Sequence, residues 1–161
     1  MAIRSVRESD AEKIAEIYNE YVLRSTISFE TERVTTEEMR RRIVETAQKY
    51  PYLVYEEEDE VKAYCYAHRW KEREAYRNTL ETTVYVSDTW RGKGIGRRLM
   101  ERLIDECRQR GAHVLVACIT GGNEASIKLH ERMGFEQVSH FRQVGRKFGR
   151  WLDVVDLQLI L

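Results

Sequence analysis

The sequence predicts an α/β fold, a mixed sheet with helices on its faces. Three observations predict it. Runs of β-forming residues recur along the whole chain, apolar residues at three- and four-residue spacing mark helices between them, and the two alternate in the order β-α-α-β-β-β-α-β-α-β-β. Each element has its own justification.

Residues 3–6 read as a short strand. Ser9 or Asp10 can cap a helix that carries Ile14, Ile17, Tyr18, Tyr21 and Val22 on one face. Thr35 with Glu38 three residues on is a capping box for a second helix, which must stop before Pro51, the single proline. Residues 52–56 and 61–67 are β-rich runs split by Glu57-Glu58-Asp59-Glu60, so a hairpin is expected. Residues 80–86 form the next strand, and the pattern then breaks at Thr89-Trp90-Arg91-Gly92-Lys93-Gly94. From Ile95, Leu99, Leu103, Ile104 and Cys107 trace a helical face that Gly111 closes. Residues 114–119 are nearly all apolar, as in a strand buried on both faces. Gly121-Gly122-Asn123 leads into a short helix to Met133, stopped by Gly134, and strands at 136–142 and 152–159 follow.

A length of 161 residues fits one ordinary domain, so residues 1–161 are read as a single unit. Lys plus Arg (27) balances Asp plus Glu (27), which leaves no basic excess to drive binding to a phosphate backbone; no nucleic-acid partner is expected. The longest stretch free of formal charge, residues 111–123, is too short and too Gly-rich to span a bilayer, and the first residues lack an apolar signal core. A cytoplasmic protein without membrane contact is therefore expected. Cys65, Cys107 and Cys118 each sit in an apolar-patterned segment without a CxxC pair, and read as free buried thiols of a reducing compartment. His68, His113, His130 and His140 show no zinc-ligand spacing with them, so no metal is expected.

The segment Arg91-Gly92-Lys93-Gly94-Ile95-Gly96-Arg97 lies between a strand and a helix N-terminus. Its glycines allow close backbone approach, its N–H groups and the helix dipole favour negative charge, and Arg91, Lys93, Arg97 and Arg98 add cations. It is an anion site by composition. It is not a Walker loop, because Gly94 rather than Ser or Thr follows Lys93, and it is not a dinucleotide fingerprint, because Gly92, Gly94 and Gly96 are spaced by two.

That segment resembles the Arg/Gln-x-x-Gly-x-Gly/Ala signature of the GNAT N-acetyltransferases. The strand Val84-Tyr85-Val86 before it, Asn123 after the next strand, and the run from Ser126 to Phe135 stand where that family has its other landmarks. The resemblance runs from about Ile3 to Leu161. It implies a mostly antiparallel sheet of about six to seven strands flanked by about four helices, acetyl-CoA as co-substrate, and a homodimer. A subfamily is also visible. Trp70-Lys71-Glu72-Arg73-Glu74-Ala75-Tyr76, then Glu81-Thr82-Thr83, is similar to the phosphinothricin N-acetyltransferases, whereas the tail from Val144 to Asp153 is more similar to acetyltransferases of methionine sulfone and methionine sulfoximine. Both act on the α-amino group of a small amino-acid analogue.

Carried onto these positions, the resemblance makes Glu81 the general base, which suits a carboxylate able to take an ammonium proton directly or through one water. Val84, Tyr85 and Val86 would pair by backbone with the pantetheine arm, Arg91 to Arg97 would grip the pyrophosphate, and a main-chain N–H near Val84 would polarise the thioester oxygen. His130 stands where many relatives have a tyrosine; it protonates the leaving thiolate or is a packed histidine, and both readings stand. Asn123 and Ser126 contact the cofactor arm, cap the following helix, or do both. For the acceptor, Lys71 and Arg73 suit a carboxylate, with Arg the better fork. Thr82, Thr83 and Lys147 complete the expected acceptor site, and Phe29 and Tyr76 are its aromatic wall or core residues. Other acceptors within the same chemistry are a polyamine, an aminoglycoside or a protein N-terminus. A non-catalytic acyl-CoA-binding module is the alternative outside it.

Overall fold

The computed structural model describes residues 2–161. The strand and helix order matches the expected one, with strands β1 (Ala2–Ser5), β2 (Tyr52–Glu57), β3 (Glu60–Arg69), β4 (Thr79–Val86), β5 (Val114–Thr120), β6 (Glu136–Lys147) and β7 (Arg150–Ile160). The helices are α1 (Ala11–Arg24), α2 (Thr36–Ala47), α3 (Ile95–Gln109) and α4 (Glu124–Arg132). One sheet runs β1-β2-β3-β4-β5-β7-β6, antiparallel at every pair except β4–β5, which is parallel.

Local chemistry explains the boundaries. Thr35 Oγ1 accepts from Glu38 N at 3.1 Å, while the Glu38 carboxylate turns to Arg41 and Arg42, so only half of the capping box forms. The acidic turn closes on two residues, Glu58 (φ 55°) and Asp59 (φ 59°), the left-handed pair a tight hairpin demands. Asp10 does not cap α1 with its side chain. Its carboxylate instead takes both guanidinium nitrogens of Arg4 at 2.9 Å and the Arg7 N–H at 2.7 Å, tying β1 to the helix entry.

Two cores flank the sheet. Ile14, Ile17, Met39 and Ile43 of α1 and α2 pack on Tyr52, Val54 and Tyr64 on one face. Leu99, Met100, Leu103 and Cys107 of α3 pack on Leu53, Cys65, Leu115 and Leu157 on the other. The helices α1 and α2 pack mainly on the β2–β3–β4 side of their face, and one expectation is corrected: Cys65 and Cys107 are buried, but Cys118 of β5 is exposed. That strand is therefore not buried on both faces along its length. Residues 154–157 lie in β7, an internal strand between β5 and β6.

The chain between α1 and α2 is pinned over the sheet. Asn19, buried in α1, exchanges two hydrogen bonds with Val34, its Nδ2 donating to the carbonyl at 2.9 Å and its Oδ1 accepting from the N–H at 2.8 Å. Arg42 holds Glu30 with two bonds of 2.8 Å, and Thr120 Oγ1 donates to the Thr26 carbonyl at 2.8 Å. At Gly145 of β6 the aromatic ring of Phe29 occupies the side-chain position, and a Cβ there would come within 2.3 Å of it. This places Phe29 beside the open end of β4 and β5.

Candidate active site

The parallel strands β4 and β5 pair only at Thr79, Leu80 and Glu81 with Val114, Leu115 and Val116. Beyond Glu81 they diverge, although β4 stays paired to β3 through Val86 and β5 to β7 through Thr120. The backbone polar groups of residues 82–86 that turn away from β3 thus face a wedge-shaped gap rather than a strand, and of these the Val86 carbonyl is met by the Tyr21 hydroxyl. Backbone groups left open in this way seek a partner of extended shape. Thr82 Oγ1 lies at this gap, buried and without a hydrogen-bond partner.

The glycine loop closes the wide end. Gly92 (φ 75°) and Gly94 (φ 77°) take left-handed conformations, and Gly94 is the N-cap of α3 with no side chain to satisfy the first-turn N–H groups. These groups border a cavity of about 370 Å³ lined by Val84, Tyr85, Val86, Arg91, Gly92, Gly94, Ile95, Gly96, Arg97, Asn123 and Ser126. Tyr21 fixes its wall: its hydroxyl donates to the Val86 carbonyl and accepts from Arg91 Nε at 3.1 Å, while the guanidinium lies 4.8 Å from the ring centre. Lys93 lies over Trp90 at 4.2 Å, outside the lining. Asn123 caps α4 through Oδ1, which accepts from Ser126 N at 3.4 Å.

A narrower cavity of about 140 Å³ continues between the strands, sharing Val84, Tyr85 and Asn123 with the first and adding Glu81, Thr82, Thr83, Cys118 and His130. It opens at Glu81, Cys118 and Thr120 into a third space of about 440 Å³ bordered by Tyr18, Ser28, Phe29 and Glu30. The three form one path, with Glu81 where the second meets the third.

Glu81 is held on two sides. Its Oε2 lies 3.3 Å from His68 Nε2 on the neighbouring strand, where His68 and Glu81 are register partners, and its Oε1 accepts from Cys118 Sγ at 3.6 Å. Burial works against a charged imidazole at His68, but the hydrogen bond and charge of Glu81 outweigh it and raise its pKa. Although Cys118 as a residue is exposed, its thiol is partly enclosed, and that desolvation, reinforced by Asp156 and Glu81, pushes its pKa up. His130 is in the opposite situation. It is buried, its pKa is lowered by that burial, and its Nδ1 donates to the Ser126 carbonyl at 2.7 Å. The neutral ring therefore presents Nε2 as an acceptor.

The expected acceptor residues divide. Phe29, Thr82 and Thr83 border the path. Lys71, Arg73 and Tyr76 border none of its three spaces; the Lys71 ammonium lies over Trp70 at 4.3 Å, and Trp70 meets Tyr76 edge-on at 5.3 Å. Lys147 is buried, with Nζ donating to the Ser28 carbonyl at 2.7 Å. Sequence reasoning missed His68, Cys118, Tyr18 and Glu30. Their place depends on strand register and on the 25–34 connection, and only the β3–β4 register, with its alternating side chains, carried a usable signal for His68. Among the described residues no cluster of three metal-ligating side chains occurs, and no helix is long and apolar enough to cross a membrane.

Known proteins resemble this chain in sequence and in fold. A family model described as an acetyltransferase (GNAT) domain matches residues 3–155. The L-methionine sulfoximine/L-methionine sulfone acetyltransferase of Salmonella typhimurium LT2 is 43% identical, over 100% of this chain and 95% of that protein. Among solved structures, a ribosomal-protein-alanine N-acetyltransferase from Brucella melitensis has a TM-score of 0.98 at 39% identity, covering 100% of both chains. A GNAT superfamily phosphinothricin acetyltransferase from Sinorhizobium meliloti, in complex with AcCoA, has a TM-score of 0.96 at 36% identity, covering 99% of this chain and 88% of that one. With a family model spanning nearly its whole length and relatives this similar aligned end to end, the chain belongs to the GNAT acetyltransferase family.

Proposed function

We propose that this acetyltransferase, acting as one domain over residues 1–161, transfers acetyl from acetyl-CoA to the α-amino group of a small amino-acid analogue. Phosphinothricin, methionine sulfoximine and methionine sulfone are the acceptors of choice, as the names of the Salmonella and Sinorhizobium relatives indicate for those proteins. The observation that carries the reading is the position of Glu81 at the apex of the β4–β5 gap, between the glycine-loop cavity and the space under Phe29.

Acetyl-CoA, when bound, supplies the acetyl group as an activated thioester. The fit of this chain to it rests on the gap, the orphaned Thr82 hydroxyl and the open N–H groups at Gly94. The glycine loop, with Arg91 and Arg97, holds the pyrophosphate, and Asn123 and Ser126 add polar contacts; Lys93, turned onto Trp90, lies outside this grip. Residues 84–86 offer their backbone as one edge of an added strand, and a main-chain N–H there stabilises charge on the reacting carbonyl oxygen. Glu81 takes the proton from the acceptor ammonium. His130, neutral and with Nε2 free to accept, orients the sulfur end rather than donating a proton. Phe29, Thr82 and Thr83 shape the acceptor space, and Lys147 holds the loop that carries Phe29, whereas Lys71, Arg73 and Tyr76, which border none of the three spaces, are given no part in it.

We place the enzyme in the cytoplasm, in keeping with the free thiols Cys65 and Cys107. We also infer a homodimer formed through the β6–β7 hairpin, where Val138, Phe141, Val144, Phe148 and Trp151 are each more than half exposed. A protein N-terminus is the second acceptor class, favoured by the likeness to the Brucella structure and sharing the α-amine.

The test is CoA release with mass identification of the product, using phosphinothricin, methionine sulfoximine, methionine sulfone, an alanine-initiated peptide, spermidine and an aminoglycoside. Turnover of the amino-acid analogues is the expected result. Turnover of the peptide alone moves the second reading forward, and turnover of the polycations alone overturns both. Absence of turnover, with CoA still raising the melting temperature, would leave a binding module.

A further inference from the structure

Glu81 and His68 face each other with one proton too few for two neutral partners. His68 Nδ1 lies 2.9 Å from the Arg69 carbonyl, an acceptor only, so that nitrogen carries a hydrogen. A neutral ring would then turn its Nε2 lone pair toward Glu81 Oε2, 3.3 Å away, lone pair against carboxylate. The contact becomes attractive when a proton lies between them. Cross-strand register holds the two side chains in this relation, and Cys118 Sγ at 3.6 Å occupies the other carboxylate oxygen.

We propose that His68 and Glu81 work as one proton-accepting pair, in which His68 is a positioning residue that holds on Nε2 the proton Glu81 takes from the acceptor ammonium. The inference rests on the reading of Glu81 as the base. In the step, an N–H bond of the ammonium breaks and leaves its electron pair on nitrogen. The proton reaches Glu81 Oε2 and passes to Nε2, so the pair changes from a net charge of −1 to zero. The neutral amine then attacks the thioester carbonyl, and the proton leaves the pair to solvent after release of product. A carboxylate is in general a weaker proton acceptor than an imidazole at neutral pH, and a pair that shares the proton draws on the stronger of the two.

The surroundings of the ring allow this. Tyr18 of α1, Arg42 and Glu45 of α2, Tyr52 of β2, and Tyr64 and Tyr66 of β3 share a cavity of about 300 Å³ with His68. The Arg42 charge is met by Glu30 and Glu38, and Arg69 pairs with Glu72 at 3.2 Å. Glu81 on β4 is the carboxylate in contact with the ring. The neighbouring aromatic, Tyr66, has its ring centre 5.8 Å from the imidazole.

Two measurements test the pair. In the first, NMR titration of isotopically labelled histidine follows His68, assigned by its loss in His68→Gln and requiring no acceptor. The expected midpoint lies above the ordinary histidine value of about 6.5 and falls by roughly one unit or more in Glu81→Gln. In the second, the acidic limb of kcat/KM against pH is expected to coincide with that midpoint. His68→Gln, which keeps a polar contact but cannot titrate, should shift the limb down by at least about one unit and lower kcat at pH 8 roughly ten-fold. A His68 midpoint indifferent to Glu81→Gln, or a His68→Gln enzyme that keeps the wild-type limb, overturns the inference while leaving acetyl transfer intact. If no amine is acetylated at all, the proposed function fails first and this inference with it.

Discussion

Lys147 Nζ, buried near the end of β6, donates to the Ser28 carbonyl at 2.7 Å across 119 residues of sequence. With Thr120 on Thr26 and Arg42 on Glu30, it fixes the connection that carries Phe29 over Glu81. Replacing it with methionine keeps the volume but leaves the Ser28 carbonyl without its donor. We expect Lys147→Met to lose about 1–3 kcal/mol in urea unfolding. It should also expose the 25–34 connection to limited proteolysis before global unfolding.

The Phe29 ring occupies the side-chain space of Gly145. Gly145→Ala should swing that half-exposed ring away without unfolding the protein. KM for the acceptor should then rise several-fold while KM for acetyl-CoA stays unchanged, a split that steady-state kinetics with each substrate varied in turn will show.

Gly94 holds φ 77° where it caps α3. An alanine there costs about 1–2 kcal/mol in the left-handed conformation, or rotates the first-turn N–H groups away from the cavity. Gly94→Ala should raise KM for acetyl-CoA roughly ten-fold, because the positioned N–H donors are what the pyrophosphate needs. Calorimetric titration with CoA checks it independently of turnover.

Asp10 ties the first strand to the first helix. Its burial favours the neutral acid, but the hydrogen bonds from Arg4 and the Arg7 N–H outweigh this and hold its pKa below the usual carboxylate range. A depressed carboxylate adds stability that is present above the unfolded value of about 3.9 and disappears as pH falls through the folded value. Asp10→Asn should therefore cost about 2 kcal/mol at pH 7 and flatten the loss of melting temperature below pH 4.

Much of this architecture could be read directly from the chain. Thr35, Pro51 and Gly111 marked helix limits because capping and φ restriction act locally, and all four helices and seven strands fall in the expected order. The last hairpin was less legible. Its strands extend to Lys147 and back from Arg150, not to 142 and from 152, because the turn is made by Phe148 (φ 52°) and Gly149 (φ 71°). Phe148 carries no turn signal in composition. Gln143, also at positive φ, is held in the β6 irregularity by Asp153 Oδ1, a contact that no local pattern announces. At the candidate site, the glycine loop stood out by its own composition, in one short segment, whereas Glu81 was singled out only through the family resemblance. The His68 and Cys118 contacts to Glu81 were not legible, since each depends on which residue of one strand lies opposite which of the next.

The most direct test of the account replaces Glu81 with glutamine and compares binding with chemistry in the same preparation. Glutamine preserves the shape between His68 and Cys118 but cannot accept the ammonium proton. The account predicts that CoA affinity by calorimetry stays within about two-fold, while kcat for acetylation of the best amino-acid acceptor falls by roughly 10² to 10⁴. A Glu81→Gln enzyme that turns over within about three-fold of the wild type would contradict it and move the base elsewhere along the β4–β5 gap.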